Sequence, residues 1–124
     1  MFKEIAFTIY AVTDIKRSRA FYEGVLGLVP NGEFDKDPAS VWIEYNIGPG
    51  TLSIGCAPDQ WKPSSDGAVA ALEAIDFDAV IKKLKDAGVK FKVEPQDFPT
   101  CKMAAIFDPD NNVISIHQRK PGRG

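Results

Sequence analysis

Along residues 41–47 apolar and polar positions alternate, with Val41, Ile43, Tyr45 and Ile47 on one side and Trp42, Glu44 and Asn46 on the other. A period of two is that of a strand with one apolar and one mixed face. Farther on the period changes. Phe77, Val80, Ile81 and Leu84 recur at i, i+3, i+4 and i+7, the stripe of an amphipathic helix, and Gly88 can close it in the left-handed conformation. Asp76 stands just before the stripe, placed to cap the free amides at the helix start. Asp14 does the same for an earlier helix that the sequence predicts to run to Gly27. Strands are predicted over about residues 5–12, 28–34, 41–47 and 51–56, and again over about 89–94, 102–107 and 113–118.

These elements repeat. Asp14 and Asp76 lie 62 residues apart, and the same offset carries Leu52-Ser53-Ile54 onto Ile114-Ser115-Ile116. Twice that period is the whole chain, so the sequence reads as one βαβββ unit used twice. The fold class is α+β. Module one covers about residues 1–57, the turn-rich stretch at about 58–67 is a linker, module two covers about 68–118, and 119–124 form a short frayed tail. Each helix stripe must lie on a sheet, which leaves the mixed face of each sheet looking the other way.

A length of 124 residues fits one domain. With 15 Lys+Arg against 17 Asp+Glu the net charge is −2, which does not favour nucleic acid as a partner. No apolar run approaches the ~20 residues of a membrane span, and Met-Phe-Lys-Glu-Ile is no secretory start, so a cytoplasmic protein without membrane contact is expected. Cys56 and Cys101 have neither the number nor the spacing of a disulfide framework and are expected to be reduced thiols. Gly48-Pro49-Gly50 reads as a hairpin turn, and Lys82, Lys83 and Lys85 as the solvated side of the second helix.

Paired βαβββ units, Phe21-Tyr22 followed by Leu26-Gly27, and Asp108-Pro109-Asp110-Asn111-Asn112 before the last strand resemble the vicinal oxygen chelate superfamily, which holds glyoxalase I, bleomycin-resistance proteins and extradiol dioxygenases. The resemblance spans nearly the whole chain. It departs at Asn111, where the family usually has glycine, but asparagine tolerates the left-handed turn. It implies sheets curled into half-open cups that form a cavity, made or completed by a homodimer. In metal-dependent members the ligands come from the first and last strands of each unit, typically histidine and glutamate, because an ion that polarises vicinal oxygens needs such donors around an open position. The resemblance places these positions at Phe7 and Val69, with Thr8 and Ala70 beside them, and at Ser53 and Ser115. None suits Zn²⁺, Ni²⁺ or Fe²⁺. The expectation is therefore a cavity without metal or other cofactor, and glyoxalase or ring-cleaving activity is not carried over.

Strand alternation puts His117, the chain's one histidine, on the same side as Ser115, and assigns Glu44 and Glu73 to mixed faces. His117 is the candidate catalytic base; the plainer reading is a structural or rim histidine beside Arg119 and Lys120. Surface carboxylates are the plainer reading of Glu44 and Glu73. Phe7, Ile9, Trp42, Ser53, Lys102 and Ser115 complete the substrate-binding set, with Phe7 and Trp42 readable as core aromatics. Cys101, next to Lys102, is expected to be an inert thiol. The leading expectation is a metal-free protein that binds a small organic molecule, resembling the bleomycin-resistance branch. The alternative is an enzyme, a lyase, isomerase or dioxygenase, using His117 with Glu44 or Glu73 and a displaced Fe, Zn, Ni or Mn ion. A third reading is an interaction module whose cavity is closed by its own side chains.

Overall fold

A computed structural model describes residues 1–37 and 40–121. The chain divides into two compact units, residues 1–64 and 65–124. Unit one carries β1 (Thr8–Ala11), α1 (Ile15–Arg19) with a π-helical continuation (Ala20–Val25), β2 (Pro30–Asp37), β3 (Ser40–Ile47) and β4 (Gly50–Cys56). Unit two carries β5 (Ala70–Glu73), α2 (Phe77–Asp86), β6 (Phe91–Asp97), β7 (Cys101–Phe107) and β8 (Val113–Arg119). The sheet orders are β1-β4-β3-β2 and β5-β8-β7-β6. In each, the first strand lies parallel to the last and the other pairings are antiparallel. This is the βαβββ order that the repeat predicts, twice.

The caps hold as expected. Asp14 and Asp76 adopt nearly identical extended conformations, and their carboxylates accept from the backbone N–H of Arg17 and Ala79, both at 3.1 Å. Gly27 and Gly88 both close their helices at φ 73°. Phe77, Ile81 and Leu84 are buried, and α2 packs on β8. The N-terminus of α2 is also tied to the sheet, since Gln118 Oε1 accepts from Phe77 N at 2.6 Å. In unit one the helix meets the sheet through aromatic rings: Tyr22 stacks on Tyr45 at 6.2 Å, and Tyr45 donates its hydroxyl to Glu23 at 2.9 Å. Burial pushes the Glu23 pKa up, but hydrogen bonds from Arg19 and Tyr45 outweigh it and hold the carboxyl below its ordinary 4.5.

Several details differ from the sequence reading, including the ends of β2 and β6, which run to Asp37 and Asp97. β1 is four residues long, Thr8–Ala11, because pairing is limited to the stretch from Leu52 to Gly55 on β4. The first helix widens after Arg19, with Leu26 N–H reaching back to Phe21 O, and the wider turn buries the consecutive rings of Phe21 and Tyr22. Arg119 and Lys120 are not frayed: Arg119 ends β8, and Lys120 is held by Thr100 O and the Asp97 carboxylate. The remaining tail, 122–124, lies outside the described residues. Both cysteines are free, and among the described residues no helix is long and apolar enough to cross a membrane.

The turn before β8 is built around one buried carboxylate. Asp108 Oδ1 accepts from Asp110 N at 2.8 Å and Asn112 N at 2.9 Å, while Oδ2 accepts from the Asn112 side chain at 2.9 Å. Asn111 sits between them at φ 65°, the left-handed conformation asparagine tolerates. Asp108→Ala strands buried backbone donors and is expected to lower unfolding stability by about 2–3 kcal/mol, measured as a fall in the urea midpoint with unchanged slope.

Candidate functional site

In unit one, alternation sends Tyr10, Leu52, Ile54, Ile43 and Tyr45 into the core and leaves the opposite face to Ile9, Ser53, Glu44 and Trp42. Ile9, Ser53 and Glu44 form one row across the sheet. Phe7 lies edge-on against Trp42 at 5.2 Å, so the five candidates of this unit share one face as expected. A sixth residue joins them. Trp61, from the stretch read as a linker, packs against Trp42 at 6.0 Å and donates its indole N–H to Gly55 O at 3.1 Å. Gly55 makes that approach feasible: a Cβ there would meet Ile9 Cδ1 at 2.9 Å and Trp61 Cζ2 at 3.0 Å. Glu44 accepts from the Trp42 indole at 3.1 Å. Ser53 is 0 % exposed and its hydroxyl has no partner among the described residues.

The equivalent row in unit two is Ala71, Ser115, Ala105 and Val93, and it is made of smaller side chains. Above it lies a pocket of about 280 Å³, lined almost wholly by apolar groups that include Val69, Val93, Phe98, Met103, Ala105 and Val113, with Ser115 at its base. Val69, Val93 and Phe98 are 42 %, 43 % and 44 % exposed, so the walls are open to solvent. The next row holds Glu73, His117 and Met103. His117 Nδ1 lies 2.6 Å from Glu73 Oε1, and Glu73 Oε2 accepts from Arg119 N at 2.6 Å. The Arg119 N–H first, and His117 second, hold the Glu73 carboxyl below its ordinary range. An ionised carboxylate only accepts, so the proton of this contact sits on His117 Nδ1, and in the neutral imidazole Nε2 is then the acceptor. Among the described residues Nε2 has no partner.

Lys102 requires a correction. It pairs with Gln118 on the helix side of the sheet and its ammonium reaches Asp78 of α2 at 3.2 Å, so it does not belong with Ser115 and His117. The pocket walls Val93, Phe98, Met103 and Ala105 were not singled out from sequence, and neither was Trp61. For Trp61 the available signal was a large aromatic in an otherwise polar turn-rich stretch.

Donor chemistry decides the fit of a divalent metal to the positions implied by the resemblance. Phe7 and Val69 offer no donor, and Ser53 and Ser115 offer neutral hydroxyls, so these four do not fit such an ion. His117 and Glu73 are brought together, but among the described residues no group of three or more His, Cys, Asp or Glu side chains is placed to hold a metal.

The model of the Glyoxalase/Bleomycin resistance protein/Dioxygenase superfamily matches residues 4–116. Among solved structures, a member of that superfamily from Sphaerobacter thermophilus is 21 % identical, with a TM-score of 0.76 over 95 % of this chain and 98 % of that one. A glyoxalase family protein from Enterococcus faecalis is 24 % identical with a TM-score of 0.70, covering 94 % and 98 %. A fosfomycin resistance protein from Listeria monocytogenes is 14 % identical with a TM-score of 0.73, covering 99 % and 98 %. At these identities the likeness is one of fold. No curated protein matches the chain.

The lowered Glu73 pKa makes a prediction about pH. A carboxylate with a depressed folded-state pKa contributes stability that is present above its unfolded value and lost as pH falls through the folded one. Wild type is therefore expected to exceed Glu73→Gln in urea midpoint at pH 7, and the difference is expected to shrink as the pH is lowered through and below the ordinary carboxylate range.

Proposed function

The chain belongs to the Glyoxalase/Bleomycin resistance protein/Dioxygenase superfamily, and on that premise we propose that it binds a small organic molecule, without a metal, in the pocket of unit two. The observation that carries this reading is the 280 Å³ pocket, apolar on its walls with Ser115 at its base. That is close to the smaller end of known ligand sites, about 300 Å³, and its composition is the usual one: a desolvating wall with few polar groups to orient a ligand. The Listeria neighbour is a fosfomycin resistance protein, an antibiotic-directed function on this fold, though fold alone does not transfer it. The reading also places the protein in the cytoplasm as a homodimer, because pairing covers open apolar walls and sheet edges. Sedimentation at micromolar concentration tests the dimer; a species of 13.6 kDa contradicts it.

A ligand that binds only the folded state must raise the thermal midpoint. A broad library is expected to contain compounds that stabilise the wild type, and Ser115→Phe, which fills the base of the pocket, is expected to abolish their effect while remaining folded. A library with no stabiliser, or stabilisation that survives Ser115→Phe, argues against the pocket as the site.

The 2.6 Å contact between His117 and Glu73 favours a second reading, an enzyme of the lyase, isomerase or dioxygenase kind. Glu73 fixes the imidazole tautomer and His117 Nε2 serves as the base. Under this reading His117→Gln removes turnover of a bound compound and leaves its binding intact.

A further inference from the structure

We propose that the occupant of this pocket is an amphipathic monoanion, with an apolar ring-sized body over Ala105 and Ser115 and a carboxylate at the rim against Lys92. The inference rests on the small-molecule reading above and adds the chemical class. Size sets the body. A closed apolar cavity of about 150 Å³ holds benzene, so 280 Å³ takes a ring with a short substituent. Charge sets the head group. Lys92 lines the pocket from β6, and among the described residues its ammonium has one hydrogen bond, to the Ser65 carbonyl at 3.5 Å, the outer limit of such a bond.

Four other lysines of this unit already have carboxylate partners. Lys82, Lys85, Lys102 and Lys120 pair with Asp86, Glu94, Asp78 and Asp97. Those contacts engage both carboxylates of β6, Glu94 and Asp97, with lysines other than Lys92. Among the described residues Lys92 makes no ion pair. Glu73, on the pocket side of the sheet, is held by His117 and Arg119 N, and Ser115 has a hydroxyl to donate. An apolar pocket whose rim carries one uncompensated ammonium selects an anion over its neutral isostere.

Calorimetric titration of 3-phenylpropanoate and 3-phenylpropanamide tests this, because the two share shape and differ in charge. The acid is expected to bind about three- to fivefold more tightly at low salt, the contribution of a solvent-exposed charge pair, and the gap is expected to shrink at about 0.5 M salt. Lys92→Met keeps the apolar stem and is expected to equalise the two, whereas Lys92→Arg keeps the gap. Equal binding in wild type, or a gap that persists in Lys92→Met, overturns the proposal and leaves the small-molecule reading standing. If neither probe binds while other compounds stabilise the protein, the anion class is wrong. If nothing stabilises it, the small-molecule reading fails first.

Discussion

One register organises the pocket side of unit two: Ala71 stands opposite Ser115 in the parallel pairing of β5 with β8. Because side chains alternate, that single alignment commits Ile114, Ile116 and Gln118 to the helix and sends Val113, Ser115 and His117 the other way. A slip of one residue would put the isoleucines in solvent and Ser115 under α2, which the burial of three large side chains on that helix forbids. The Glu73 to His117 contact and the pocket base are both consequences of the alignment.

The same register recurs 62 residues earlier as Ile9 opposite Ser53, yet the two units use their free faces differently. In unit one the row holds Ile9 and Glu44, Gly55 admits Trp61, and Phe7, Trp42 and Trp61 lie together on that face. In unit two the row holds Ala71 and Ala105, and the space above remains open. Aromatic rings lie along the row in unit one, whereas the small side chains of the row in unit two leave room for the pocket.

Much of this was legible in the sequence because helix caps and strand periods are local. Asp14, Asp76, Gly27, Gly88 and Asn111 behave as their types predict. Phe7, Ile9, Trp42, Glu44, Ser53, Glu73, Ser115 and His117 lie on the faces alternation assigned. Lys102 was misplaced because Met103, Ala105 and Phe107 are as apolar as Ala104 and Ile106, so β7 has no pattern that tells its two faces apart. The β6 walls were illegible for another reason: register shifts between Phe91 and Val93 and between Val93 and Gln96 break the period of two. Trp61 lies outside any periodic element, and its place follows from a glycine six residues away.

The central claim is that the free face of unit two is a ligand site, and Met103 is a reporter built into its wall. Met1 and Met103 are the two methionines of the chain, so ¹³C-methyl methionine labelling gives two resonances. Titration with a compound that stabilises the protein is expected to shift the Met103 methyl saturably while Met1 stays in place. A stabilising compound that saturates without moving Met103 would contradict the account.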